Sequence, residues 1–149
     1  GEALFLDAGH LHSYLGGVGL EIMASSDNVI RGGLTPKHID RTELKNLATF
    51  APLAEDGLRV VPQRDNGQSI YPTPVEDFTL AVVDVSAAGA QCVTNSAEIL
   101  LCLEGGVSVA RQGERLQLAP GESCLVSAEA GTFDLSGQGR LARAAVSIG

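Results

Sequence analysis

Residues 98–135 read EILLCLEGGVSVARQGERLQLAPGESCLVSAEAGTFDL, and the fold of the chain follows from how this stretch is punctuated. Short runs of alternating apolar and polar residues end at Gly, Pro, Asp or Ser, which is the pattern of short strands separated by turns. Gly105-Gly106 and Gln112-Gly113 are hairpin signals inside it. Working outward, the same pattern predicts strands over Phe78–Val85, Glu98–Leu103, Val107–Gln112, Arg115–Leu118, Ser123–Ser127, Thr132–Leu135 and Leu141–Ile148. Strands this short and regular imply an all-β fold, an antiparallel sandwich or barrel of jelly-roll type. There is also a faint internal repeat: Gly1-Glu2 before Ala3–Ala8 is echoed by Gly121-Glu122 before Ser123–Ala128. Two coincidental turns of the same chemistry would read identically.

Upstream of the strands the chain changes character. Pro52, Pro62, Pro72 and Pro74, with Asp56-Gly57 and Asn66-Gly67, mark a connector over residues 51–75. It carries two short strand candidates, Leu58–Gln63 and Ser69–Tyr71, with Arg59 and Arg64 as surface charge. Asp40 followed by Glu43, with Leu44 and Leu47 one turn apart, predicts a capped short helix near residues 41–48.

The bounds on function are broad. A chain of 149 residues makes one ordinary domain or two small ones sharing a core. Its 44% hydrophobic content is enough to bury that core. A formal charge of −8 argues against a nucleic-acid surface, yet leaves room for a local pair of cations to hold one anion. Cys92, Cys102 and Cys124 lie in apolar runs without metal-ligand spacing, as buried reduced thiols do. No apolar run approaches membrane-spanning length and no signal-peptide pattern stands out. The expectation is a cytoplasmic protein without a membrane partner.

The densest chemistry lies in His12–Lys37, HSYLGGVGLEIMASSDNVIRGGLTPK. Val18–Ala24 and Asn28–Arg31 read as short strands around the polar turn Ser25-Ser26-Asp27-Asn28, where Asp27 is more naturally a turn builder than a pocket carboxylate. On an extended segment Leu20, Ile22 and Ala24 share one face, and Glu21 and Met23 share the other. Glu21 alone could be an ordinary solvated carboxylate. Arg31 and Lys37, in a glycine-containing loop, can converge on one anion. By spacing alone His12 reads equally as a metal ligand or a structural histidine, and His10 as an exposed turn residue.

This stretch resembles the signature segment of type I phosphomannose isomerases, zinc-dependent enzymes built from cupin barrels. The matching residues are His12, Tyr14, Leu15 and Gly17, then Glu21, Met23, Ala24, Ser26, Asp27 and Asn28, then Arg31, Gly33, Leu34, Thr35, Pro36 and Lys37. Ser13 and Gly32 stand where the family usually has alanine. The match is specific over Gly1–Asp40 and covers the remainder only in outline.

The resemblance implies a role for each residue. His12 becomes a zinc ligand, Arg31 a catalytic residue, and Lys37, Glu21 and Tyr14 substrate-binding residues for a phosphorylated hexose. It implies interconversion of mannose 6-phosphate and fructose 6-phosphate through a cis-enediol. The family's other zinc ligands, a glutamine, a histidine and a glutamate, lie upstream of the matched segment, and nothing in this sequence supplies them. Residues 1–50 are then the end of a catalytic cupin barrel, 51–75 a connector, and 76–149 a complete second barrel. That second barrel is metal-free, since Phe133 and Leu135 follow Gly131 where the first copy has a histidine. Such a chain is expected to be inactive alone, to hold zinc weakly or not at all, and to self-associate through its incomplete first barrel. The alternatives are a non-catalytic sugar-binding or regulatory cupin module, and a purely structural cupin fragment.

Overall fold

The computed structural model describes residues 1–26 and 29–146. The expected turn at Asp27 and Asn28, the start of the expected strand at Asn28 and the end of the strand ascribed to Leu141–Ile148 fall at least partly outside the described residues. The chain divides into two compact units, residues 1–59 and residues 60 onward.

The first unit has little regular structure. Strand β1 (Ala3–Leu4) pairs with β2 (Arg59–Val60), whose first residue closes the unit, and the Phe5 amide donates to the Leu58 carbonyl at 2.9 Å. Helix α1 (Arg41–Leu47) forms where expected. The Asp40 carboxylate accepts from the Thr42 and Glu43 amides, both at 3.0 Å, and so satisfies donors that the first turn leaves without partners. A single turn, α2 (Glu55–Leu58), replaces the start of the strand expected at Leu58–Gln63.

The second unit holds the core. Its strands are β3 (Gln63–Asp65), β4 (Gln68–Tyr71), β5 (Thr79–Val85), β6 (Ala90–Val93), β7 (Glu98–Arg111), β8 (Glu114–Leu118), β9 (Ser123–Val126) and β10 (Thr132–Ala145). They form one antiparallel sheet in the order β3-β4-β5-β10-β7-β8, with β6 also on β10 and β9 also on β7. Two hairpins follow from turn chemistry. Asn66-Gly67 and Gln112-Gly113 take positive φ at both residues, as tight two-residue hairpins require.

Gly105-Gly106 does not turn the chain, and the two strands expected on either side of it are one 14-residue strand. The same holds for Thr132–Leu135 and Leu141 onward, which merge into the 14-residue β10. The physical reason is close approach of two backbones. Gly105 pairs with Gly139 and Gly106 with Gln138, and a Cβ on Gly105 would overlap the Gln138 carbonyl. A Cβ on Gly139 would overlap the Glu104 carbonyl, and the register slips between Arg140 and Leu141. Glycine and a bulge here bend the strands instead of ending them. Each bent strand then serves two partners: β7 pairs with β9 near Glu98 and with β8 near Arg111, while β10 pairs with β6 near Thr132 and with β5 near Ala145.

The curled sheet encloses Val83, Leu100, Cys102, Val107, Phe133, Leu135 and Leu141. Phe133 and Leu135 are 2% and 1% exposed and fill the interior. Cys92 and Cys102 are buried thiols and Cys124 is half-buried. Burial pushes the Cys92 and Cys124 thiols above their ordinary range.

One charged cluster is buried at the end of this unit. The Arg143 guanidinium donates to both oxygens of Glu98 at 2.9 and 3.0 Å, to Gln68 Oε1 at 2.8 Å and to the Val93 carbonyl at 3.0 Å. It thereby ties β4, β6 and β7 to β10. Its Cζ lies 5.5 Å from the Phe133 ring centre, and the Glu98 side chain is fully buried. Removing one partner would strand the other charge without compensation, so Glu98→Ala should cost about 3–5 kcal/mol of stability. Arg140 pairs with Asp84 and Glu104, side chains 59% and 66% exposed. Arg140→Ala should cost less than about 1 kcal/mol. Urea midpoints of the two variants measure the contrast, and equal losses would contradict it.

Candidate functional site

The site grows from a turn in the first unit. Asp7, Ala8, Gly9 and His10 form it, with the His10 amide and ring Nδ1 lying 3.4 and 3.2 Å from the Asp7 carbonyl. The Gly9 carbonyl accepts from the Thr49 amide at 2.8 Å, which anchors the turn just past the C-terminal end of α1. His12 emerges from this turn with Nδ1 3.1 Å from the His10 carbonyl.

Three of the five sequence-predicted residues come together around His12. Its Nε2 lies 3.8 Å from Glu21 Oε1, and its ring meets Tyr14 edge-on at 6.0 Å between centres. The Tyr14 phenol is pushed above its ordinary value, by desolvation and then by hydrogen bonding and charge from Glu21. Since Tyr14 is 73% exposed, the carboxylate is the part of that shift a substitution can remove. His10, expected to be exposed and incidental, is half-buried and supplies the carbonyl under His12.

Arg31 and Lys37 lie on the following loop, Arg31 half-buried and Lys37 exposed. Thr35 Oγ1 accepts from the Lys37 amide at 3.2 Å and shapes that loop. Gly32 packs on Leu11, the neighbour of His12, so closely that an added Cβ would lie 2.8 Å from Leu11 Cδ2. That atom is the end of a flexible side chain, so an alanine here could be accommodated. No hydrogen bond or ion pair among the described residues ties Arg31 or Lys37 to the His12 trio.

The strands expected over Val18–Ala24 and Asn28–Arg31 are not formed among the described residues. Strand geometry needs a ladder, and among the described residues this segment has no partner strand. The alternation survives in burial only in part: Ile22 and Ala24 are half-buried and Glu21 and Met23 exposed, but Leu20 is 42% exposed. Around the site Leu15, Val18 and Leu34 are 97%, 106% and 95% exposed.

The donor chemistry at His12 suits zinc as a single ligand. A carbonyl can only accept, so Nδ1 carries the proton and the Nε2 lone pair is left for a metal. Among the described residues no group of three His, Cys, Asp or Glu could hold a metal ion. In the second unit a hollow of about 260 Å³ lies beside Arg143, but that guanidinium is already neutralised by Glu98. Sequence reading missed the Glu98–Arg143 cluster. The signal was present: Glu98 shares strand parity with Leu100 and Cys102, as Arg143 does with Leu141.

A curled antiparallel sheet of short and bent strands, with a histidine-bearing segment after a glycine turn, defines a cupin. The family model "Mannose-6-phosphate isomerase, cupin domain" matches residues 68–146, and the chain belongs to that family. It is 43% identical over 143 residues to mannose-6-phosphate isomerase of Salmonella typhimurium, a match covering 96% of this chain and 37% of the relative. The Homo sapiens enzyme is 40% identical over 113 residues, covering 72% of this chain and 27% of the relative. Among solved structures, the Salmonella typhimurium enzyme bound to fructose 6-phosphate and zinc superposes with a TM-score of 0.75 at 38% identity. That match covers 85% of this chain and 32% of the other. The chain therefore spans little more than a third of the length of the bacterial relatives it matches.

If Glu21 holds the Tyr14 proton, Glu21→Gln should bring the raised pKa of the phenol part of the way back toward its ordinary value, so that it ionises at lower pH. Alkaline titration followed by NMR at the Tyr14 ring measures this. An unchanged titration would mean that the carboxylate does not act on the phenol.

Proposed function

We propose that this chain is the C-terminal portion of a zinc-dependent aldose–ketose isomerase that interconverts mannose 6-phosphate and fructose 6-phosphate. The observation that carries the reading is sequence identity across nearly the whole chain to enzymes of that name, joined to the gathering of His12, Tyr14 and Glu21. Residues 1–50 are the end of the catalytic barrel, 51–75 the connector and 76–149 a second barrel without a metal. The protein works in the cytoplasm, with a phosphorylated hexose as its partner and neither nucleic acid nor membrane. No helix of the described residues is long and apolar enough to cross a membrane.

His12 is one ligand of the zinc, which when bound supplies polarisation of the sugar oxygens that change charge. Arg31 stabilises negative charge as the proton moves between C2 and C1. Lys37 binds the phosphate as a point charge. Glu21 and Tyr14 orient sugar hydroxyls or the zinc ligand.

The roles separate kinetically. In the complete enzyme Arg31→Ala should lower kcat by about 10²–10³, the cost of losing one transition-state donor. Lys37→Ala should chiefly raise KM for the sugar phosphate. Small and equal effects would show that the pocket lies elsewhere.

A catalytic zinc normally has three protein ligands, and His12 is one. The chain alone should therefore bind no stoichiometric zinc and turn over no sugar phosphate. Its open apolar side chains, Leu15, Val18 and Leu34 among them, should drive self-association through the first unit. Metal analysis, a coupled isomerase assay and size-exclusion mass test the three statements. One tightly held zinc per chain with turnover would overturn them.

A further inference from the structure

The turn before His12 is built more tightly than its place on the surface requires. A Cβ on Gly9 would sit 2.7 Å from the Leu47 carbonyl and 2.9 Å from Thr49 Oγ1, and Gly9 has φ +87°. Only glycine fits such an approach without strain. On the far side of the turn the His10 ring and amide both point to the Asp7 carbonyl, at 3.2 and 3.4 Å. The Asp7 oxygen has no proton to give, so the His10 Nδ1 is the donor. The His10 carbonyl, aimed outward by this arrangement, receives His12 Nδ1 at 3.1 Å. The rival influence on His12 is weaker. Glu21 Oε1 is 3.8 Å from Nε2, beyond hydrogen-bond distance.

We propose that His10 is a positioning residue: by bracing the turn anchored at Gly9, it holds His12 in the tautomer with Nδ1 protonated and Nε2 free to ligate. The inference rests on the reading of His12 as a zinc ligand. An unconstrained histidine side chain in water favours the opposite tautomer, with the proton on Nε2. Without the brace some of the population would present a proton where the metal needs a lone pair. Partners that orient a ligating histidine typically alter metal affinity by about 10–100-fold.

Two measurements test this. Long-range nitrogen–proton NMR of this chain, at a pH where imidazoles are neutral, should find His12 protonated on Nδ1. His10→Ala should move it toward the Nε2-protonated form, and His10→Asn, which keeps a side-chain donor near the Nδ1 position, should restore it. In the complete enzyme, titrated with zinc alone, His10→Ala should weaken affinity about tenfold and His10→Asn should recover most of it. A wild-type His12 protonated on Nε2, or a His10→Ala variant whose tautomer and zinc affinity stay within about twofold of wild type, would overturn the proposal. His12→Ala distinguishes the two levels. If that change leaves zinc affinity intact, His12 is not a ligand and the zinc role assigned to His10 falls with it, whereas the tautomer measured in this chain still decides what the turn does.

Discussion

The antiparallel pairing of β7 with β10 is the interaction on which the second unit depends. It runs from Asp134 opposite Ala110 to Ala145 opposite Glu98, and both strands bend where Gly105, Gly137 and Gly139 bring the backbones together. The bend gives each strand two successive neighbours, which turns a flat sheet into a curled one with an interior. Phe133, Leu135, Leu100 and Leu141 fill that interior because their strand parity points them inward. Side chains larger than hydrogen at the crossing would push the strands apart and open the core.

Among the described residues, no ladder of comparable length supports the first unit. Its order comes from a few small devices: the Asp40 cap on α1, the Gly9 carbonyl holding the Thr49 amide, and the short pairing of β1 with β2. These fix a turn and the histidine beyond it, but they do not give the segment after His12 a ladder. The functional groups are thus held close to one another at one end and left open on the other. The second unit is folded around its own core, and the described residues after His12 have no ladder of their own.

Much of this was legible in the sequence, for identifiable reasons. Alternation and turn residues fixed the all-β class, and Asn66-Gly67 and Gln112-Gly113 turned the chain as their chemistry requires. Asp40 and Glu43 marked the helix start. Gly105-Gly106 misled because a glycine pair serves a close crossing as well as a turn, and only the partner strand decides which. The strands expected at Val18–Ala24 and Asn28–Arg31 were a correct reading of local pattern and a wrong reading of local structure, because pattern cannot supply a hydrogen-bonding neighbour. His10 was undervalued because its contribution is a backbone carbonyl and a ring bond to Asp7, neither of which leaves a spacing in the sequence. Glu98 and Arg143 are far apart in the chain, and their pairing depends on the register of β7 and β10.

The second unit should hold its fold by itself, and the segment after His12 should not. Amide hydrogen exchange, compared between this chain and the complete enzyme, tests it most directly. In this chain the β7 and β10 amides should exchange only through global unfolding, while those of residues 12–26 and 29–37 exchange close to the rate of an unstructured peptide. In the complete enzyme the same residues should become protected. Protection of residues 12–37 in this chain equal to that of β7 and β10 would contradict the account, because the segment would then already have its partners.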